Sequence, residues 1–353
     1  GVRFIFQYAP ESEAPAEMTF YLPDLKALCG ADVILRSMHN LYTLRGAKVR
    51  DAVKWSRAID DAITLFGDAE IFFACHHWPM WGNQKIIDFL EKQRDLYQYI
   101  HDQTMRLANA GYTPREIAEQ VTLPDPLDTF FANRGYYGTL SHNTKAVYQA
   151  YLGWYDGNPA HLNPLPPEES AKRYVACMGG AEAVLTKART SYDEGDYRWV
   201  AEVLNHLVFA EPNRQEAKLL LARAYDQLGY QAESGIWRNV YLTAAYELRH
   251  GAPEKGIDLS KAFELLKRTP PSRFFDSMAV HLDGPAAADK SMVLGESRKA
   301  FAVFADDHPE TGNMEGFPIE IEASGEASPV LYDLDGAADG RPEIILVTSN
   351  GII

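Results

Sequence analysis

The sequence predicts an α/β layer, then an all-α domain of helical repeats, then a short α+β/β tail. Three observations predict it. Residues 1 to about 115 alternate short apolar runs with apolar positions at helical spacing, the pattern of strands and helices sharing one layered core. Residues 170 to about 267 carry only the helical pattern. Beyond Pro270 and Pro271 strand-like runs return, and residues 297–353 hold 3 basic against 11 acidic residues, a net of −8 out of the chain's −15.

Residues 2–7 suit a strand, residues 9–17 a polar loop with prolines, and residues 18–22 and 32–35 two further strands. Ala52, Val53, Ile59, Ala62, Ile63 and Phe66 fall at helical spacing and predict a helix over residues 52–66. Residues 71–75 read as the strand that runs into F-F-A-C-H-H-W-P-M-W-G, residues 72–82. An apolar run that stops at two histidines and two Trp-containing turns is either a metal or anion site at a strand end or a Pro-terminated strand with incidental histidines. Cys75 reads there as a small buried residue closing the strand, with a ligand role as the alternative. Residues 84–110 read as one amphipathic helix, and Thr113, Pro114 and Glu116 mark the start of the next.

Pro124 and Pro126 signal a linker, so the boundaries are placed at 1–121, 122–267, 268–296 and 297–353. Residues 134–167 are rich in glycine and large aromatics and read as a loop packed against something, a partner subunit being the candidate. Tyr192, Asp193 and Tyr197 recur 33 positions later as Tyr225, Asp226 and Tyr230, a tetratricopeptide-like period. Two such repeats cannot bury their faces singly, so other helices or a partner chain must cover them.

The formal charge of −15 argues against nucleic acid, whose phosphates require a basic face. No apolar run approaches the roughly 20 residues that span a bilayer. Cys29, Cys75 and Cys177 are odd in number and far apart, which gives no disulfide framework. The N-terminus, G-V-R-F-I-F-Q-Y, lacks a charged n-region and an apolar h-region and reads as an internal strand. The expectation is a chain that has lost its beginning, and compartment is not read from it.

Four clusters could carry chemistry. Glu13, Glu17 and Asp32 are edge carboxylates that are either solvated or converge with His76 and His77 on a hard or borderline metal. In H-N-L-Y-T-L-R-G, Asn40 and Arg45 could grip a tetrahedral anion, the alternative being a surface loop with a salt bridge. His142 and Asn143 suit a capped turn better than catalysis. Asp333, Asp335 and Asp339, with Glu343, are spaced for Ca²⁺ but lack the twelve-residue EF-hand register.

Five motifs in order, E-A-P-A-E-M, H-N-L-Y-T-L-R-G, H-H-W-P-x-W-G, Y-Y-G-T-x-S-H-N and Y-L-G-W-Y-D-G-N-P, resemble the alkylsulfatases of the metallo-β-lactamase superfamily, from Gly1 to about Leu294. The resemblance implies a partial metallo-β-lactamase αββα layer in residues 1–121 and a helical homodimerisation domain in residues 122–267. Residues 268–296 would then begin a domain like sterol carrier protein 2 that receives the alkyl chain. The implied reaction is hydrolysis of alkyl sulfate esters of the dodecyl sulfate type to alcohol and sulfate, by water activated at two Zn²⁺ ions.

Under that resemblance Glu13 and His77 match zinc ligands, and Asn40 and Arg45 match the sulfate-binding pair. Asp32 falls where the family has a bridging glutamate, one methylene longer. His76 is implied to be structural or to back a ligand, and Tyr137 and Gly138 are assigned no chemistry. The superfamily's H-x-H-x-D-H motif is nowhere in the sequence, so the chain is expected to be the C-terminal part of an alkylsulfatase. A non-catalytic dimerisation or interaction fragment with a vestigial half-site is the alternative. The tail resembles one FG-GAP or VCBS repeat, S-P-V-L-x-D-L-D-G-x-x-D-G-R-P-E-I, and one repeat cannot close a propeller.

Overall fold

The computed structural model describes residues 1–253 and, beyond them, Pro270, Arg273 and six short strands. Gly1–Pro253 and Glu254–Ile353 are two compact units. The predicted start of a carrier-like domain lies mostly outside the described residues, and Asp333, Asp335 and Asp339 lie wholly outside them.

The first unit opens with β1 (Ile5–Tyr8), β2 (Met18–Leu22), β3 (Ala27–Cys29), β4 (Ile71–Phe73) and β5 (Met80–Trp81), ordered β1-β2-β3-β4-β5 in one sheet. Only the β3–β4 pair is parallel, and α1 (Ala52–Phe66) lies in the connection between them. A parallel pair needs such a crossover, and α1 supplies it. Alternation along β2 sends Thr19 and Tyr21 inward and Phe20 to the opposite face. On the inner face Leu28, Phe72, Trp55, Ile59, Phe66, Phe89 and Tyr97 make the core with α1 and α2 (Asn83–Asn109). Each large side chain buried there contributes roughly 1.5–3 kcal/mol. The outer face carries a stack of Phe4, Phe6, Phe20 and Phe73 rings, with Phe6 largely exposed.

The strand expected at residues 32–35 is a buried turn, and the strand sits earlier, at Ala27–Cys29. Ala31 is left-handed at φ +48°, and the Ile34 amide donates to the Gly30 carbonyl at 3.0 Å, closing the turn. Val33, Ile34 and Leu35 are all buried, so the apolar run that suggests a strand reflects burial on every side. Trp55 Nε1 donates to the Val33 carbonyl at 2.6 Å and pins the turn to α1. Cys75 stands past the end of β4 and is exposed, against the expectation of a buried residue; its amide reaches the Ala31 carbonyl, and the chain has already left the sheet.

Thr113 caps α3 (Pro114–Gln120) in a full capping box with Glu116, as its sequence predicts. After α4 (Asp125–Asp128) comes a departure: residues 134–167 are not one loop but contain α5 (Leu140–Leu152). Thr139 caps it by accepting the His142 amide at 3.0 Å, and between Gly138 and Gly153 nothing breaks the helix.

Then follow α6 (Pro167–Cys177) and two helix pairs, α7 (Ala181–Asp193) with α8 (Tyr197–Ala210) and α9 (Gln215–Gln231) with α10 (Gly235–His250). The α8 positions Val200, Val203, Leu204 and Leu207 pack on Ala217, Leu220, Leu221 and Ala224 of α9, with Val175 of α6 added to the same core. Those spacings are one helical face each. The extra helix covers what two repeats alone leave open. Among the described residues no helix is long and apolar enough to cross a membrane.

In the second unit β6 (Lys290–Leu294), β7 (Lys299–Phe304) and β8 (Ile319–Glu320) form one three-stranded sheet. The other is β9 (Ser328–Tyr332), β10 (Glu343–Thr348) and β11 (Gly351–Ile352). The strands β9 and β10 flank the acidic segment and pair antiparallel, with Glu343 opposite Tyr332.

Candidate functional site

Arg50 is the hub of the site. It precedes Asp51, whose carboxylate caps α1 by accepting the Val53 and Lys54 amides, so the helix start fixes where the arginine stands. Its Nη2 pairs with Glu13 Oε1, and its Nε donates to the Glu13 carbonyl at 2.5 Å. Nη1 donates to the Asn40 carbonyl at 2.7 Å and to Asn40 Oδ1 at 2.9 Å. One guanidinium fork thus joins the loop between β1 and β2 to the H-N-L-Y-T-L-R-G loop. Burial raises the Glu13 carboxyl above its usual range, Arg50 pulling against it and Asp32 and Glu17 adding to it. Burial likewise lowers the Arg50 guanidinium, with Glu13 opposing.

His39 lies beside the fork. Its ring meets Trp55 at 5.2 Å and stands edge-on to Tyr137 at 5.0 Å. Arg50 Nη1 comes within 3.2 Å of His39 Nδ1. The same Nδ1 lies 3.0 Å from the Asn40 carbonyl, which only accepts, so the neutral ring donates to that oxygen in one tautomer and accepts from Arg50 in the other. Burial pushes His39 down to about 4, consistent with that neutral form.

The helical part forms the back wall of this loop. Asn143, in the first turn of α5, accepts the Leu41 amide at 2.9 Å and donates to the His39 carbonyl at 2.9 Å. His142 Nε2 lies 2.7 Å from the Tyr42 carbonyl while its Nδ1 accepts from Trp237 Nε1 at 3.1 Å. Gly138 donates its amide to the Met38 carbonyl at 2.8 Å, and a Cβ there would lie 2.5 Å from the His39 carbonyl oxygen. Only glycine allows that approach. Tyr137 and Gly138, given no chemistry from sequence, therefore border the site.

Two of the five expected residues, Glu13 and Asn40, are brought together, and Arg50 joins them. Asn40 is 1% exposed, and its Nδ2 is a buried donor with no acceptor among the described residues. Arg45 is exposed on the same loop and close enough to favour the Glu13 carboxylate. Asp32 also acts electrostatically on Glu13 and His39. Its Oδ1 is buried without a hydrogen-bond donor, and His76 Nε2 lies 3.4 Å away, near but not bonded. His77 is exposed, takes a left-handed backbone at φ +69°, and is shifted down by burial, Arg36 and His76. Such a backbone at a non-glycine residue is strained and concentrates at functional turns.

A metal has partial accommodation here. The lone Asp32 oxygen and neighbouring His76 are donors of the right type, but Glu13 already gives Oε1 to Arg50. Among the described residues no three His, Cys, Asp or Glu side chains gather as a metal-holding group. The residues present do not by themselves fit two metal ions.

Arg50 was not among the sequence candidates, because its partners are 37 and 10 positions away. One signal could have found it: an arginine immediately before the capping aspartate of a strongly amphipathic helix.

Residues 113–251 match the alkyl sulfatase dimerisation family. The chain is 54% identical over 295 residues to a linear primary-alkylsulfatase of Pseudomonas sp., covering 83% of this chain and 44% of that protein. It is 51% identical to an alkyl/aryl-sulfatase of Saccharomyces cerevisiae, covering 83% and 45%. A solved stereoselective inverting sec-alkylsulfatase of Pseudomonas sp. superposes with a TM-score of 0.80 at 44% identity, covering 86% of this chain and 48% of that one. The chain thus spans a little under half the length of these relatives. Along the part that aligns, the chain is closely similar to the alkylsulfatases, and residues 113–251 match the alkyl sulfatase dimerisation family.

Proposed function

We propose that this chain carries the anion-holding side of an enzyme that hydrolyses alkyl sulfate esters of the dodecyl sulfate type to alcohol and sulfate. The observation that carries the reading is the buried, unpartnered Asn40 Nδ2. A buried donor without an acceptor costs about 1–3 kcal/mol, and a sulfate oxygen would relieve it. Arg45 on the same loop supplies positive charge toward that oxygen, and Arg50 holds the Asn40 amide so that Oδ1 is engaged and Nδ2 is presented. The relatives named for primary, secondary and aryl substrates share the sulfate ester, which supports the same chemistry here.

Glu13, Asp32 and His77 are our candidates for one side of a two-zinc site, although among the described residues neither these three nor any other three such side chains gather as a metal-holding group. No step is assigned to the metal. The chain's own residues orient the ester: Asn40 and Arg45 bind its oxygens, His39 and Tyr137 wall the loop, and Gly138 fixes the loop's backbone. We further propose a homodimer formed through residues 113–251, which the family match supports.

A second reading, a dimerisation fragment with a vestigial half-site, is favoured by the Arg50 pairing that holds the Glu13 carboxylate. Titration of dodecyl sulfate below its micellar concentration, with zinc content and sulfate release measured on the same sample, separates the two. Saturable binding that Asn40→Asp weakens at least about tenfold is expected, since the exchange turns a donor into an acceptor. No binding by the parent chain would sink the anion site. Binding without zinc and without sulfate release would establish the second reading for this chain.

A further inference from the structure

A cavity of about 460 Å³ lies between α5 and α10, and Tyr42 and Leu44 of the H-N-L-Y-T-L-R-G loop form part of its wall. That volume falls within the roughly 300–1,000 Å³ of small-molecule sites. Helical spacing builds the rest of the wall. His142, Lys145, Ala146 and Gln149 fall three and four apart and share one face of α5, as Trp237, Val240 and Tyr241 do on α10. Leu44 is 50% exposed and Val240 48%, so the cavity opens to solvent beside them. His142 offers nothing to a ligand. Its Nε2 lies on the Tyr42 carbonyl and its Nδ1 on Trp237 Nε1, and a ring that donates to one and accepts from the other is neutral. Lys145 differs. Its Nζ stands 5.1 Å from the centroid of the Trp237 ring, and among the described residues no carboxylate lies within 4.0 Å of it. Burial lowers its pKa, Arg198 and Arg115 push the same way, and Glu119 opposes them. Glu119 is itself taken by Arg198 at 2.8 Å. A half-buried ammonium in an apolar wall, without a counter-charge, is complementary to an anion.

We propose that this cavity binds a single alkyl carboxylate, with the head on Lys145 Nζ and the chain along Leu44, Ala146, Trp237 and Val240. The site is separate from Asn40 and Arg45 and does not rest on their holding a sulfate ester. A lone ammonium is a compact point charge and suits the two oxygens of a carboxylate, whereas the three oxygens of a sulfate call for several donors at once. The indole beneath Nζ holds the cation over the cavity before the head arrives, so little ordering is added on binding. Burial of the chain against the aliphatic and aromatic wall supplies the rest of the affinity. Tyr42 and Leu44 lie between Asn40 and Arg45 in sequence, so an occupant touches the loop that bears them.

The test is equilibrium dialysis of the full chain against sodium decanoate below its micellar concentration. Saturable binding at a single site is expected. Octanoate should bind at least about fivefold more weakly, since each buried methylene is worth up to about fourfold. Lys145→Met keeps an unbranched apolar stem and removes the charge. It should weaken decanoate at least about tenfold and octan-1-ol less than about twofold. Val240→Glu sets a like charge beside the opening and should weaken decanoate by about the same factor. Far-ultraviolet circular dichroism checks the fold of both variants. Uptake by the parent that never saturates overturns the proposal, as does equal decanoate affinity in the parent and Lys145→Met. Equal weakening of decanoate and octan-1-ol in Lys145→Met overturns the ion pair and with it the proposal. Decanoate lost in Asn40→Asp but kept in Lys145→Met places the head on the anion loop and also overturns it. Photolabelling of the parent with a diazirine-bearing decanoate reads the place without any variant. Label on residues 42–44 or 237–241 is expected, and label confined to the outer sheet face at Phe6 and Phe20 overturns the proposal.

Discussion

Removing the Arg50 guanidinium leaves the Glu13 carboxylate mostly buried and without its counter-charge. The side chains are 10% and 17% exposed, so solvent screens the pair weakly. Arg50→Ala is expected to cost about 2–4 kcal/mol in urea unfolding, and Glu13→Gln in the same background to recover at least about half of it. An additive cycle would show that the two do not act as a pair. His39 gives a pH dependence. Its folded value is near 4 against 6.5 for the free side chain, so below pH 6.5 the unfolded chain takes up a proton that the folded chain refuses. Stability should fall as pH drops from 6.5 to 4, by about 3 kcal/mol, and level off below. Buried His142 is shifted the same way and adds to the slope. A His39→Gln chain whose stability falls as steeply over that range would remove His39 as the cause. At this scale Asn40 stood out in sequence because its motif is contiguous, whereas Arg50 did not, because its meaning lies in residues distant along the chain.

At the scale of elements, α5 is the piece that joins the two parts of the unit. Its first turn holds residues 39–42 through Asn143 and His142, and Gly138 just before it backs onto the His39 carbonyl. Gly138→Ala forces a methyl against backbone that cannot yield as a flexible side chain would. A loss of about 3 kcal/mol is expected, with weaker dodecyl sulfate binding as the loop shifts. Unchanged stability and binding would mean that the contact carries no load. The regular elements α1, α2 and α3 were legible from periodicity and caps, since each has one apolar face. The turn at residues 32–35 was not, because burial on all sides erases alternation. Nor was α5, where glycines at both ends and aromatics throughout resemble a loop until Thr139 is recognised as its cap.

Considered whole, the proposed homodimer would couple the chain's folding to its concentration. Melting temperature would then rise by about 1.5 °C for each tenfold increase in protein, as expected for a two-state dimer in which each chain contributes an enthalpy typical of about 250 residues. A melting temperature that stays constant over about three decades of concentration would show that the chain unfolds as a monomer. The helical repeat was readable because its period is written in Tyr192, Asp193 and Tyr197 and their echoes. The arrangement of metal candidates was not, because sequence order says which side chains sit near strand ends but not which carboxylate an arginine will take.

The length of α5 has one further consequence. Its thirteen residues make a rod of roughly 20 Å, with residues 39–42 fastened at the start and residues 153–166 leaving from the end. A tilt of the rod by about 3° would carry its far end through roughly 1 Å, the scale on which hydrogen-bond donors gain or lose an acceptor oxygen. A load taken up beyond Leu152 is thus felt at residues 39–42 through one lever.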